Sequence, residues 1–460
     1  MIENIDIFEK DPIPKAVAKL AVPTVVSMIV AVFYNMVDTF FVGRLNDPNL
    51  VAAVSVATPV FLLLMAAGNI FGIGGSTFLS RALGEKQLDK VRHISSFCFY
   101  GGIFAGLVGA VIFLIFKDPI LRASGASDNT LYPAGQYLAV VAWGAPFVVL
   151  STAFNNLVRG EGAAKMSMSG MMAGTITNIV LDPIFILPRF TMGYIAVPLL
   201  GLGVQGAAIA TVIGNIVSIV FFLVFIISGK SIMSLKPRDF RIGGGIFIGV
   251  IAIGLPASFN NVLMSTSNII MNKLLAKYGD ISVAAMGVAM KANMLVVFIQ
   301  LGLGMGIQPL VGYNYGSKNF YRMKSAMKFA MICNIVIGTI LTILYILFCS
   351  SIVRLFIPNP KVVRAGAVML RALMLSNPVL GVMFVFEFTF QAMGKAFQSL
   401  ILSISRQGLV YIPMLFLGQL FAGENGIIYA QPVADIVAVF ISLGMFLSLN
   451  KKFTSENTNT

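Results

Sequence analysis

Long apolar runs recur along the whole chain, and this feature limits its fold more than any other. Runs of more than 18 residues appear again and again in the 460 residues, and about 20 apolar residues in a helix are needed to cross ~30 Å of hydrocarbon. Composition agrees, because 58% of the residues are hydrophobic and 11% are charged, whereas about a quarter of a soluble domain is charged. We therefore expect an all-α membrane protein.

The apolar runs predict twelve transmembrane helices. Their predicted bounds are 15–42, 50–80, 94–116, 132–157, 166–187, 203–227, 246–276, 281–312, 322–348, 362–393, 398–421 and 426–450. An even number places both termini on one side, and Lys and Arg are enriched in cytoplasmic loops. Of the 32 Lys and Arg residues, 21 lie at the chain ends and in even-numbered loops, and ten lie in odd-numbered loops. Both termini are predicted to be cytoplasmic.

The remaining composition argues against other classes of protein. The net charge of +14 lies in short loops between apolar runs without the interleaved aromatic residues of a nucleic-acid surface, so no nucleic-acid partner is expected. The three cysteines show no metal or disulfide spacing. The sequence contains no phosphate-binding loop for ATP and no motif of a catalytic nucleophile. We expect no cofactor and no enzymatic activity.

The second half of the chain repeats the first. At an offset of 233, Pro23 meets Pro256, and at 232 the match continues through pairs such as Gly74 and Gly306. Near the end of each half the offset falls to 220. A register held over some 110 residues, with Gly and Pro shared, indicates an internal duplication.

The duplication predicts two lobes of six helices each. Because six is even, the lobes share one orientation, and they are related by a pseudo-two-fold axis along the membrane normal. The predicted domains are a cytoplasmic segment 1–14, an N-lobe 15–227, a basic cytoplasmic linker 228–245, a C-lobe 246–450 and a cytoplasmic tail 451–460.

Two carboxylates lie inside predicted spans of the first lobe. Asp38 has Asn35 on the same helical face of the first span, and Asp182 has Asn178 one turn earlier on the fifth. Since ionisable groups in a membrane cost roughly 2.5–3.5 kcal/mol each, they indicate function. Carboxylate and amide oxygens suit Na⁺, and two close carboxylates also suit a proton. The alternative is that each Asp bonds locally to a helix end or a hydroxyl.

Comparing the two halves favours the first lobe as the functional one. Asp38 corresponds to Met271, Asp182 to Met414 and Asn178 to Val410. A residue needed only for the scaffold should recur in both copies. The acidic positions therefore mark a cation site that only the first lobe contains.

The second lobe contains other ionisable residues inside its spans. Lys291 and Glu387 either form an ion pair or contact the substrate or the coupling proton. Asp435 follows Pro432 and is interpreted as a helix cap at a kink. In the first half, the stretch 159–162 (Arg-Gly-Glu-Gly) predicts a tight cytoplasmic turn with a salt bridge.

Several of these motifs resemble the multidrug and toxic compound extrusion (MATE) family. They are Asn35-x2-Asp38 on the first span, the Arg-Gly-Glu-Gly stretch 159–162, and Asn178-x3-Asp182 on the fifth span. The resemblance covers about residues 12 to 450. Because the seventh span has no carboxylate, the chain looks most similar to the bacterial DinF/MepA-like branch.

The resemblance implies export of small organic cations and amphipathic drugs in exchange for H⁺ or Na⁺. It implies two lobes that alternate between outward-open and inward-open states, and a cation site formed by Asp38, Asn178, Asp182 and Thr211. A monomer in a bacterial plasma membrane is expected, in contact with membrane lipid. The alternatives are a flippase for lipid-linked oligosaccharide or polysaccharide precursors and, more remotely, a membrane-embedded enzyme or receptor.

Overall fold

The chain folds into α-helices and one β-hairpin in this computed structural model, which describes residues 2–45, 47–192, 195–198 and 200–457. The helices are α1 Ile2–Glu9, α2 Ile13–Gly43, α3 Pro48–Gly84, α4 Leu88–Ile115, α5 Lys117–Ala123, α6 Asp128–Trp143, α7 Ala145–Gly160, α8 Ala164–Ile186, α9 Gly203–Phe225, α10 Ile246–Leu275, α11 Asp280–Gly316, α12 Phe320–Phe356, α13 Pro360–Met374, α14 Asn377–Ala392, α15 Ala396–Ile404 and α16 Tyr411–Asn457. Short π-helical turns lie at Ile226–Lys230 and Ser405–Val410, and short 3₁₀ turns at Pro237–Asp239 and Ala276–Tyr278.

The predicted all-α membrane fold is confirmed. Among the described residues, nine helices are long and apolar enough to cross a membrane, and two bent pairs raise the number to 11. The last of the nine, from Ala396 to Ser448, has 53 residues, or about 80 Å of helix, which is enough for two crossings. It is broken at Gly423, where φ is 60°, between the predicted eleventh and twelfth spans.

Two predicted spans are bent helix pairs rather than straight helices. The fourth consists of α6 and α7, bent by 59°, and the tenth consists of α13 and α14, bent by 49°. Pro146 and Pro378 begin the second helix of each pair and correspond in the duplication. Proline lacks the N–H that would continue the preceding helix and disfavours the α conformation in the residue before it. The same residue therefore produces the same bend in both copies.

One short sheet was not predicted. β1 (Arg189–Met192) and β2 (Ile195–Pro198) pair antiparallel between α8 and α9, with Arg189 opposite Pro198. The apolar pattern of the sequence marks this stretch only as a connection between spans.

The chain divides into two compact units, and the boundaries between them fall inside two helices, α2 and α10. The first unit contains Val30–Leu255, and the second contains Asp6–Ile29 together with the chain from Pro256 onward. The first half of α2 thus belongs to the second unit, and the first third of α10 belongs to the first. The predicted lobe boundaries at 15 and 246 follow the chain and stay predictions.

Glycines at equivalent positions of the two copies lie where the first parts of α10 and α2 pack. A Cβ on Gly74 of α3 would collide with the Val250 carbonyl oxygen on α10, and a Cβ on Gly306 of α11 would collide with Ala21 on α2. Gly74 and Gly306 are equivalent positions of the repeat. Each unit therefore needs a glycine here because the helix backbones approach too closely for any side chain.

The end of α1 is fixed to α11 and α12 within the second unit. The Arg322 guanidinium donates to the carbonyl oxygens of Phe8 (2.5 Å), Ile7 (3.2 Å) and Asp11 (2.6 Å). The Phe8 ring stacks on Tyr313 with 4.8 Å between centroids. One arginine thus satisfies several carbonyls that the end of a helix leaves without partners.

Candidate functional site

Helix α8 carries two of the predicted cation-site residues into the interior of the first unit. Asn178 is 2% exposed and Asp182, one turn later, is 0% exposed. Pro183 lies inside the same helix and has no N–H, so one carbonyl of the preceding turn loses its helical partner. A carboxylate, an amide and a helix carbonyl thus lie within about one turn of α8.

Close packing of α8 against α9 brings Thr211 beside Asn178. A Cβ on Gly174 of α8 would collide with the Gly214 carbonyl oxygen, and a Cβ on Gly214 would lie 3.1 Å from the Asn178 Cβ. The Ser218 hydroxyl donates to the Gly170 carbonyl at 3.0 Å one turn away. Small residues at facing positions allow the two backbones to approach closely, as is common for helices in membranes.

A chain of polar side chains extends from this contact. Asn178 Nδ2 donates to Thr211 Oγ1 over 3.4 Å, and the hydroxyl oxygens of Tyr34 and Thr211 are 3.4 Å apart. Asn215 Nδ2 donates to the Thr211 carbonyl at 2.8 Å, and the Ser151 hydroxyl donates to Asn215 Oδ1 at 2.5 Å. The bonds at Thr211 Oγ1 are long, so the hydroxyl is free to turn toward a bound ion.

Asn178 Oδ1 accepts no hydrogen bond from the described residues, although it is fully buried. A buried acceptor without a protein donor is a place where a water or an ion can complete the coordination. Beside the Asp182 carboxylate, an amide oxygen is a suitable ligand for a hard monovalent cation. The described residues therefore fit the predicted first-lobe cation site.

The other half of the predicted site cannot be placed in the same way. Asn35 and Asp38 belong to α2, but their side chains lie outside the described residues. The pairing of Asp38 with Asp182 stays a prediction. Tyr34, one turn before Asp38, is the α2 side chain whose contact with the site is described.

Tyr34 and Ser151 are not among the site residues predicted from the sequence. The spacing of Tyr34 from Asp38 (i, i+4) places them on one helical face, and this signal could have identified Tyr34. Ser151 had no such signal, because its role depends on how α7 packs against α9.

At the equivalent place in the second unit, an arginine side chain supplies a positive charge. In the repeat, Arg406 corresponds to Gly174 and Asp435 to Asn215. Arg406 Nε lies 2.8 Å from Asp435 Oδ1, and the Ser376 hydroxyl donates to Asp435 Oδ2 at 2.8 Å. The interpretation of Asp435 as a helix cap is wrong, since it is the acceptor of a buried ion pair.

Lys291 and Glu387 do not pair in the described structure. Lys291 is exposed, whereas Glu387 is 4% exposed and accepts a hydrogen bond from the Ser403 hydroxyl at 2.8 Å. Of the two alternatives for these residues, the ion pair is not formed. Their contact with substrate or proton stays a prediction.

The turn between α7 and α8 also differs from its prediction. Arg159 donates to Asn156 Oδ1 at 2.5 Å, and Glu161 Oε2 accepts from the Ser231 hydroxyl at 2.7 Å. No ion pair joins Arg159 to Glu161 among the described residues. Glu161 anchors the linker instead, and its burial raises the pKa to about 7.

Comparison with protein families gives a match to the MatE family model over residues 23–184 and 256–417. The matched segments begin at Pro23 and Pro256, the residues with which the repeat opens. The family model thus covers both copies and confirms the duplication.

Curated relatives match over nearly the whole chain. The multidrug export protein MepA of Staphylococcus aureus (strain MRSA252) is 31% identical over 456 residues, which are 99% of this chain and 98% of that protein. MepA of Staphylococcus haemolyticus (strain JCSC1435) is 32% identical over 457 residues, with the same coverage.

Solved structures of similar proteins have the same fold. A MATE protein in the straight conformation gives a TM-score of 0.89 at 25% identity, covering 99% of each chain. An outward-facing multidrug resistance MATE family transporter of the MOP superfamily gives 0.87 at 25% identity, covering 98% of each. The resemblance in the sequence and the prediction of a transporter rather than an enzyme are confirmed: this chain is a membrane transporter that belongs to the MatE family.

Proposed function

We propose that this transporter exports small organic cations and amphipathic drugs across a bacterial plasma membrane, driven by entry of H⁺ or Na⁺. The observation that carries the proposal is the buried Asn178 Oδ1 without a donor among the described residues, beside the buried Asp182. Support for drugs as the cargo comes from the relatives, which are multidrug export proteins.

The difference between the two units supports coupling in the first lobe. In the second unit, the Arg406 guanidinium pairs with the Asp435 carboxylate. At the equivalent positions the first unit has Gly174 and Asn215, which carry no charge. Asp182 is then the carboxylate for which an exchangeable cation would compete.

Coupling follows if cation and substrate favour different states of the transporter. A ligand shifts a conformational equilibrium only by its difference in affinity for the two states. Asp38, Asn35, Asp182, Asn178 and Thr211 would hold the cation in one state. Neutralising the carboxylates would favour the other state, in which substrate binds or leaves.

The orientation and the coupling ion belong to the same proposal. The excess of Lys and Arg at the termini and in even-numbered loops supports cytoplasmic termini. Two close carboxylates could share one proton and so favour H⁺, whereas the amide and hydroxyl oxygens of Asn178 and Thr211 would favour Na⁺.

Transport by everted membrane vesicles tests the proposal. Export of a fluorescent organic cation is followed while a pH gradient or a Na⁺ gradient is imposed separately. Asp38→Asn and Asp182→Asn should each abolish the gradient-driven component. Asp89→Asn is the matched control, because the Asp89 side chain is 89% exposed and, within the described part of the chain, its ion pair is with Arg92 at 3.6 Å.

Two outcomes would contradict the proposal. Normal gradient-driven export in both variants, at equal expression, would exclude a coupling site at Asp38 and Asp182. Absence of organic-cation export with either gradient, together with movement of a lipid-linked oligosaccharide, would support the flippase instead.

A further inference from the structure

A basic pocket lies where the linker before α10 meets the start of α4. Its volume is about 380 Å³. It is lined by Lys90, His93, Arg241, Ile242, Gly243, Gly244 and Ile246. None of these residues belongs to the cation site described above, and all of them lie in the first unit.

Hydrogen bonds to α4 hold the linker wall of this pocket in place. Hydroxyls of Ser95, Ser96 and Tyr100 donate to the carbonyl oxygens of three consecutive linker residues, 234–236, at 3.0–3.1 Å. The Phe240 ring stacks against Phe97 with 6.2 Å between centroids. The pocket is therefore preformed, so a ligand does not have to order the linker when it binds.

Two of the side chains that line the pocket, Lys90 and Arg241, are cationic donors. His93 Nδ1 lies 2.7 Å from the Asp239 carbonyl oxygen, which can only accept, so the ring donates its Nδ1 proton to the linker and helps to hold the pocket wall. Arg241 makes no ion pair or hydrogen bond with the described residues. Among the described residues, the acidic neighbour of Lys90 is Glu85 at 3.9 Å, and the Lys90 ammonium lies 4.9 Å from the centroid of the Phe78 ring.

The glycine stretch 243–245 adds backbone donors. Among the described residues no acceptor is bonded to the amides of these glycines, and a Cβ built on any of them would meet no atom within 4 Å. Gly244 and Gly245 have φ of +66° and +76°, a conformation that L side chains rarely adopt. The stretch leads into α10, whose first amides, those of Ile246 and Phe247, already donate to the Gly243 and Ile242 carbonyl oxygens at 3.4 Å, so the donors that remain are those of the glycines.

The charges nearby do not already neutralise the pocket. The Asp239 carboxylate accepts the Ser234 hydroxyl at 2.5 Å, and Asp89 pairs with Arg92 at 3.6 Å. Arg241 is left with neither of these carboxylates. Cations and free amides around a small cavity are the groups that bind a phosphate.

We propose that this pocket binds the phosphate of an anionic phospholipid headgroup. Apolar side chains flank it: Ile242 is 58% exposed, Phe247 48% and Ile248 71%. A soluble phosphate would not use such side chains, whereas acyl chains would cover them. The pocket also lies at the ends of two apolar helices, α4 and α10, where headgroups are found, and basic pockets of this kind bind anionic lipid.

Lipid binding to the purified full-length transporter in a neutral detergent tests the proposal. Fluorescent phosphatidylglycerol is titrated, with phosphatidylcholine and inorganic phosphate as separate arms. Arg241→Gln and Lys90→Gln should each weaken phosphatidylglycerol binding about fivefold, and the double variant about 25-fold, because each cation contributes about equally to attracting the anionic headgroup. Arg241→Lys should bind nearly normally.

Arg238→Gln is the matched control, because Arg238 lies on the same linker and does not line the pocket. Equal losses in Arg238→Gln and Arg241→Gln would overturn the proposal in favour of a diffuse surface attraction. Equal binding of phosphatidylcholine would also overturn it. If inorganic phosphate binds with the same dependence on Arg241 and displaces the lipid at millimolar concentration, the pocket serves a soluble phosphate instead.

Discussion

The anchoring of the linker by Glu161 should depend on pH in a defined direction. This carboxyl is 2% exposed, and burial raises its pKa from 4.5 to about 7, with hydrogen bonds from Ser231 and the Ile232 amide opposing the rise. The folded state therefore binds more protons than the open state between these values. The stability of the closed linker is fully present below about pH 4.5 and falls as the pH rises to about 7.

The size of the effect follows from the two pKa values. A factor of ten in proton affinity corresponds to 1.36 kcal/mol, so moving from 4.5 to about 7 corresponds to about 3 kcal/mol. Little discount for solvent screening applies, because the carboxyl is buried. Glu161→Gln keeps the shape and the hydrogen-bonding capacity and should remove the pH dependence.

Amide hydrogen exchange measures this opening locally. The protection of amides in residues 232–236 is compared at pH 5 and pH 8, after correction for intrinsic exchange rates. In the native chain the opening free energy should fall by up to about 3 kcal/mol, and in Glu161→Gln by much less. Glu85→Gln is the control, because the Glu85 side chain is 39% exposed. An unchanged pH dependence in Glu161→Gln, or none in the native chain, would refute this reasoning.

Other changes should separate packing from charge. Arg406→Gln leaves the Asp435 carboxylate buried without its cation and should destabilise the protein by about 3–5 kcal/mol. Thermal unfolding in detergent measures this loss, and an unchanged melting temperature would contradict the buried ion pair. Gly174→Ala places a methyl group against the α9 backbone and should lower the free energy of unfolding by about 1–3 kcal/mol. The control is Gly287→Ala on α11, whose added methyl group meets nothing within 4 Å and should leave stability unchanged or slightly raised. Equal effects of the two substitutions would argue against the close contact between α8 and α9. Arg322→Gln removes charge-assisted bonds to the end of α1, so limited proteolysis should cleave there several times faster. An unchanged rate would mean that the Phe8–Tyr313 stack and the hydrogen bonds from Tyr313 and Asn314 are enough to fix α1.

Much of the fold is predictable from local sequence. Whether a segment crosses the membrane depends on the summed transfer free energy of its own residues, so the apolar runs identify the spans without any knowledge of their neighbours. The same holds for the bends at Pro146 and Pro378, because a proline changes the backbone around itself. The hairpin between α8 and α9 escaped prediction because it depends on pairing between two short segments.

The candidate site is predictable only in part. Asn178 and Asp182 were identified because polar residues inside an apolar helix are costly and the second copy lacks them. Ser151 and Tyr34 were not, since their roles require three helices to meet at one place. The ion pair of Arg406 with Asp435 likewise joins helices that local sequence cannot relate.

The sequence by itself determined that this is a duplicated membrane transporter, and it determined which buried positions differ between the copies. Each of these properties is a sum or a comparison over residues along the chain. The tertiary structure decided which half-helix packs in which unit, how closely α8 approaches α9, and where Glu161 finds its partner. Those depend on the distances between backbones, which glycines such as Gly74 and Gly174 permit but do not specify.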